Sequence, residues 1–338
     1  MPVAQVVAAQ AATSTVLYRL AYNDNTFAYK LAATTARDPR IIVLGTSRAM
    51  QFRREFFAEP DSFYNAGGMH DAADYLNFVR ALPEGAQLDT VILNVEPVFL
   101  TTESPPTTGR QDTTRYALVL NFLASGWREA YLDLFSGKVS IGKLMSESSV
   151  DPAIGIAALM TSTGFRNDGS YQPESESDAA RASRIDSQVA YGLEKIASNN
   201  AGLGSRVAIA PLAQFKQTLA LLHERGINVV GFIPPIAQEE HDALLASDTE
   251  YAKIQRTASR LFAAMFIEYG YPLYDVSSLA TTGSSDAELI DDGHGSEKTY
   301  LRILLYMAGH DSALRRFVDR ASVAPLLATS SPIKVIPE

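Results

Sequence analysis

The stretch whose reading decides the fold is Ile41-Ile42-Val43-Leu44-Gly45-Thr46-Ser47-Arg48-Ala49-Met50, an apolar run that stops abruptly at a glycine and two hydroxyl residues. Ile41 to Leu44 read as a strand buried on both faces, because a strand inside a parallel sheet has no polar side to show. Past the turn, Ala49, Met50, Phe52 and Phe56 recur at helical spacing. The stretch therefore predicts strand, tight turn, helix. A serine at such a turn stands at the carboxyl edge of the sheet and at a helix N-terminus, where unpaired N–H groups and the helix dipole favour a developing oxyanion. The same residues also serve a plainer end, since Thr46 or Ser47 is a good helix cap. Ser47 becomes a nucleophile only if the chain supplies it with partners.

Upstream, Val3 to Thr35 reads as two helical pieces interrupted at Asn23-Asp24-Asn25. Downstream, Ser62 to Asn65 forms a short second strand ended by Ala66-Gly67-Gly68, a helix follows from His70 to Leu82, and Leu88 to Val95 is a third strand closed by Glu96-Pro97. From Thr101 the texture changes to a Thr/Ser/Pro/Gly loop, then to helical patterns at Tyr116–Phe135 and Ile141–Met145. Thr161 to Ser187 is polar and offers no regular element before a helix at Gln188–Ala197. Regular alternation returns with a helix at Ala208–Arg225, a strand at Ile227–Ile233, a helix at Tyr251–Tyr269, a strand at Pro272–Val276 and a last helix from Glu297 to Val318.

Alternating apolar strands and amphipathic helices imply an α/β fold: a three-layer α/β/α sandwich on a parallel five-stranded sheet, in the flavodoxin-like order 2-1-3-4-5. The expected division is a helical lead-in over 1–36, an α/β domain over 37–100 and 205–320, a largely helical insertion over 101–204, and a tail over 321–338. The insertion leaves from the end of the third strand, at the rim of the crevice where such folds bind ligands, so it is a candidate lid. Its aromatics Tyr116, Phe122, Trp127, Tyr131 and Phe135 predict packing on the core, and Trp127 or Tyr171 can stack on a sugar ring.

Composition removes several classes of function. The 338 residues are 46% hydrophobic, ample for a core, and carry a formal net charge of −9, which disfavours a nucleic-acid backbone or an anionic membrane as partner. With no cysteine, thiol catalysis, disulfides and cysteine metal sites are excluded. No stretch approaches the length of a transmembrane helix, and Met1 to Thr15 lacks the basic start and apolar core of a signal peptide, so a soluble chain is expected. Gly-x-Gly-x-x-Gly after a strand, the P-loop and His-Glu-x-x-His are all missing. The acidic clusters at Glu174–Asp178 and Glu239-Glu240 bring no histidine at coordinating spacing. Neither metal nor cofactor is expected. The sequence leaves the oligomeric state open.

One loop supplies the partners Ser47 needs. In Ile290-Asp291-Asp292-Gly293-His294-Gly295-Ser296, an Asp three positions before a His can fold back onto the imidazole Nδ1–H and leave Nε2 free to take a serine proton. The plainer reading is a polar turn with Ser296 capping the final helix. His223, His241 and His310 lie on or beside predicted helices. His70, after Gly67-Gly68 at a strand's carboxyl end, is a reserve base.

These residues carry a resemblance. Gly45-Thr46-Ser47 after the first strand, Asn65-Ala66-Gly67 after the second and Asp291-x-x-His294 before the last helix resemble three motif blocks of the SGNH hydrolase superfamily, the GDSL-type esterases. The resemblance spans Arg40–Leu100 and Ile227–Phe317. It implies Ser47 as nucleophile, Asp291 and His294 as the rest of a triad, and the N–H groups of Ser47 and Gly67 as oxyanion donors. Two departures stand out. The family's Gly-x-Asn-Asp block is here Glu96-Pro97-Val98-Phe99, with Asn94 just before it. The first block reads Gly-Thr-Ser-Arg, similar to the branch of bacterial cell-surface polysaccharide and teichoic-acid modification proteins, which implies an extracytoplasmic location. The resemblance thus implies a serine esterase or O-acyltransferase acting on an acyl, chiefly acetyl, ester of a carbohydrate. Arg48, Asn65, Gly68, His70, Asn94 and Glu96 are candidate substrate-binding residues. The other class of reading is a catalytically silent carbohydrate-binding or assembly protein that keeps the fold, motivated by the missing asparagine block.

Overall fold

The computed structural model describes residues 3–13, 16–19, 26–100, 127–137, 140, 142, 153–198 and 206–336. It is a mixed α/β chain divided into two compact units, one of Met1–Arg37 with Pro105–Ser175, the other of Asp38–Ser104 with Glu176–Glu338. No helix among the described residues is long and apolar enough to cross a membrane.

The second unit is built on an all-parallel sheet of β1 (Ile41–Gly45), β2 (Phe63–Gly67), β3 (Thr90–Asn94), β4 (Asn228–Ile233) and β5 (Leu273–Asp275). Across the sheet they lie in the order β2-β1-β3-β4-β5. Every residue of β1, β2 and β3 is buried, as central parallel strands require. Alternation divides these side chains between two faces. Ile41, Val43, Ile92, Val230 and Phe232 join one core cluster with Leu301, Leu304 and Ala308 of the helix α6 (Glu297–His310). The other long helices of this unit are α1 (Ala72–Ala81), α2 (Asp178–Ser198), α3 (Ile209–Glu224), α4 (Gln238–Ala246) and α5 (Glu250–Glu268). Phe215 of α3 meets Phe262 of α5 edge-on at 4.7 Å and Tyr75 of α1 at 6.2 Å. A Cβ on Gly231 of β4 would lie 2.2 Å from the Phe266 ring, so the glycine is what lets α5 lie directly on the strand.

The smaller unit holds helices at Val3–Ala12 and Thr26–Arg37, with two-residue ladders at Leu17–Tyr18, Ala153–Ile154, Gly164–Phe165 and Tyr171–Gln172. Its centre is Tyr29, which stacks between Tyr18 and Phe165 and donates to Gln10 Oε1 at 2.6 Å. Beside it Lys30 is fully buried; burial lowers its pKa, and the ammonium donates to the Gly169 carbonyl and lies 4.2 Å from the Phe165 ring centre. The expected sugar-stacking Tyr171 meets Phe165 edge-on in this unit.

Several expectations change. No α-helix follows Ser47: the chain makes a 3-10 turn at Ser47–Ala49 and another at Arg54–Phe56. The reason is tertiary. The Asn65 amide donates to the carbonyls of Ala49 and Phe52, the groups a continuing helix would use, while Phe52 and Phe56 still bury completely at their helical spacing. Helix α2 starts ten residues before the expected Gln188, and α4 lies where no element was read. The last helix stops at His310, where the carboxylate of Asp311 accepts from Leu314 N–H and starts a separate turn. The segment read as one insertion is shared: 105–175 belongs with the N-terminal helices and 176–198 with the sheet. Of that segment, the loop at 101–109, Tyr116, Leu118, Leu120, Phe122, the Trp127 side chain and the helix read at 141–145, Gly142 apart, lie outside the described residues.

Candidate active site

Gly45 ends β1 where two side chains close in: a Cβ there would stand 2.5 Å from that of Ala49 and 2.6 Å from that of Asn94. Only hydrogen fits under the turn. Gly45→Ala is expected to cost about 1–3 kcal/mol through overpacking, read as a lowered urea midpoint with an unchanged slope.

The turn is bolted down from below. Thr46 caps it, its Oγ1 accepting from Arg48 N–H at 3.1 Å and lying 3.0 Å from both Asn94 Oδ1 and Glu96 Oε1. Asn94 Oδ1 also accepts from Thr46 N–H. Ser47 is left as the exposed residue of this knot, the position a nucleophile needs.

The loop between β5 and α6 reaches it. Ser47 Oγ lies 2.8 Å from His294 Nε2, and His294 Nδ1 lies 2.8 Å and 3.0 Å from the two oxygens of Asp291. Asp291 Oδ1 also accepts from the N–H groups of Gly293 and His294, which folds the loop back on itself, and Ile290 N–H donates to His294 O to close it. With the carboxylate holding Nδ1–H, the free lone pair of Nε2 faces the serine hydroxyl. Ser296 caps α6 in a capping box, as the plainer reading of this stretch has it, and the Asp291–His294 contact forms in the same loop.

Burial pushes the Asp291 carboxyl up, but His294 and the two N–H donors outweigh it and hold it below its ordinary value. A depressed acid stabilises the fold above its unfolded value of 3.8, and that contribution is lost as pH falls through the lower folded value. Asp291→Asn should therefore flatten the loss of thermal stability on acidification below about pH 4, measured as Tm against pH, because it removes that titration.

The structure gives most of the other candidates a building role. Asn65 is fully buried, and its Oδ1 accepts from Gly67 N–H at 2.9 Å. That N–H, expected to face an oxyanion, already has an acceptor. Gly68 N–H donates to Gly45 O. Asn94 is fully buried beneath Thr46, its Nδ2 without a partner among the described residues. His70 Nδ1 lies 3.3 Å from Asp74 Oδ2 in the first turn of α1, and it is His294, not His70, that meets the Ser47 hydroxyl.

Arg48 proves to be a strut. Its guanidinium donates to Glu96 Oε2 at 2.8 Å, to Gly293 O at 2.7 Å and to the carbonyls of Pro234 and Pro235 at 3.1 Å and 2.5 Å. One side chain thus joins the nucleophile turn to the ends of β3 and β4 and to the histidine loop. A second brace has no signal in local sequence: Arg184 of α2 donates to Ile290 O at 2.9 Å, one residue before the triad acid. Among the described residues no group of three or more His, Asp or Glu could hold a metal ion.

No family model and no curated protein matches this chain.

Proposed function

We propose that the protein is a serine esterase or O-acyltransferase whose nucleophile is Ser47. The observation that carries this reading is the unbroken chain from Ser47 Oγ through the His294 ring to Asp291, at hydrogen-bond distance in each link. In the reaction, His294 Nε2 takes the Ser47 proton as Oγ bonds to the ester carbonyl carbon. The tetrahedral intermediate then expels the alcohol, which leaves with the proton from His294. Water or a sugar hydroxyl gives its proton to the same nitrogen and takes the acyl group, and His294 returns that proton to Ser47 Oγ as the acyl–Oγ bond breaks. Asp291 holds the tautomer and balances the imidazolium. The fold we assign is a three-layer α/β/α sandwich in the flavodoxin-like order, supported by the sheet order and by the separate cores of α6 and of α1, α3 and α5. The family resemblance adds the substrate class, an acyl ester of a carbohydrate, and an extracytoplasmic location.

One observation favours the silent-protein reading: Gly67 N–H is held by Asn65 and Asn94 is sealed under the turn, which leaves the Ser47 N–H as oxyanion donor. Each lost donor costs roughly a hundredfold to a thousandfold, so the two together leave a much slower esterase. Reaction with p-nitrophenyl acetate separates the two. An acetyl-enzyme on the Ser47 peptide, trapped by acid quench and seen by mass spectrometry, supports the enzyme; a folded protein that never acquires the acetyl group sinks it.

A further inference from the structure

Arg48 also forms part of the wall of a cavity of about 510 Å³, at the carboxyl ends of β3, β4 and β5 and closed on the other sides by α2, α4 and α5. Ligands of α/β sheets bind at this edge, and the volume is that of a small-molecule site. Its walls are largely apolar, with Val98, Ile196, Ile236, Leu244 and Tyr251 among them. Two lining residues, Tyr191 and Leu245, are 60% and 59% exposed, an apolar rim of the kind that marks a binding groove.

Among the carboxyl groups of these walls, that of Glu240 stands apart. The residue is only 9% exposed, and its Oε1 is shut off from solvent and finds no hydrogen-bond partner among the described residues. A glycine makes room for it: a Cβ on Gly192 of α2 would lie 1.9 Å from Oε1. A buried carboxyl with an oxygen left unpaired gains from a ligand that hydrogen-bonds to the group from the cavity. The charges in the lining offset one another. Glu96, Glu240, Asp275 and Asp292 are matched by Arg48, Lys195, Arg256 and Arg260, and Arg48 and Arg256 already donate to protein acceptors. The apolar walls are then what selects the guest.

We propose that this cavity is a second binding site, distinct from Ser47, for a neutral amphiphile: an apolar chain whose alcohol, ether or amide head hydrogen-bonds to Glu240. Burial first, then the charge of Asp292, pushes the Glu240 carboxyl up to about 7. The other groups acting on it are Asp286, which adds to the rise, Arg48 and Lys195, which oppose it, and the neighbouring Tyr251. The group is therefore neutral below about pH 7, and a chain buried over it binds better there than above, where the carboxylate must be desolvated.

The test is calorimetric titration of the protein with 1-O-octylglycerol below its micelle concentration, an ether that ester hydrolysis cannot consume. Expected is one saturable site whose affinity falls at least threefold from pH 6 to pH 8.5, and a flat profile in Glu240→Gln. Gly192→Ala, a favourable change for a helix, drives the carboxyl into the cavity and should weaken binding at least tenfold; Leu244→Trp, at a half-buried wall position, should do the same by filling it. Circular dichroism melts show that each variant is folded. No saturable binding, a pH-independent wild type, or full affinity in both folded variants would overturn the proposal. None of these outcomes depends on the chemistry of Ser47.

Discussion

A fluorophosphonate is expected to label the protein once, on Ser47, and peptide mass mapping to find no adduct in Ser47→Ala. In His294→Ala the labelling rate falls by roughly 10⁴-fold or more, because the hydroxyl loses the base that removes its proton, and members of a triad act as a unit. Asp291→Asn keeps the shape of the loop but releases the imidazole tautomer, for a loss of about 10⁴-fold. These magnitudes rest on the 2.8 Å contacts on either side of the His294 ring. The three variants are expected to stay folded, since Ser47 is exposed and His294 and Asp291 are only partly buried. A folded wild type that takes no label would place the protein with the silent members of such folds.

The second large effect is at Arg48. Arg48→Met removes four hydrogen bonds at once and leaves Glu96, whose side chain is 4% exposed, as a buried charge without its cation. Breaking a buried pair from one side costs about 3–5 kcal/mol, most of it the stranded charge. The urea midpoint should fall accordingly, and Arg48→Met/Glu96→Gln should recover a substantial part by removing that charge. Arg48→Lys should lie between, because an ammonium keeps the charge but cannot fork to Glu96, Gly293 and the two proline carbonyls together. The fluorophosphonate rate should fall by about a hundredfold in Arg48→Met even below its unfolding midpoint, since Gly293 anchors the residue next to His294 and a displacement near 1 Å is worth that much. A variant as stable and as reactive as the wild type would show that Arg48 is an ornament of the loop.

The hydrogen-bonded set of Ser47, His294 and Asp291 was legible because each of its members sits in a motif whose geometry is local. An Asp-x-x-His loop folds on itself through bonds only two or three residues long, and Thr46 at the end of the strand caps the turn that carries Ser47. The strands were legible for a related reason: continuous apolar runs such as Ile41–Leu44 have one place to go, a sheet covered on both faces. Local readings erred where a distant side chain competed for the backbone. Phe52 and Phe56 have helical spacing and bury as a helix would bury them, yet Asn65 captures the carbonyls between them and two 3-10 turns result.

By itself, then, the sequence determined the elements whose forces are short in range: the parallel strands, most of the long amphipathic helices, the capped start of α6 and the Asp291–His294 loop. Only the tertiary structure decided what the polar residues around Ser47 do. Arg48 reads as a substrate-binding group or a surface cation until four acceptors from three separate loops close on it, and Gly67 reads as an oxyanion donor until Asn65 takes its N–H. Likewise Glu240 reads as half of the acidic cluster Glu239-Glu240 until Gly192, 48 positions away in the chain, leaves it the space to be buried. The physical reason is common to all three. A hydrogen bond or a desolvated charge depends on which groups meet within about 3 Å, and for residues far apart in sequence that meeting is set by how the sheet and its helices pack.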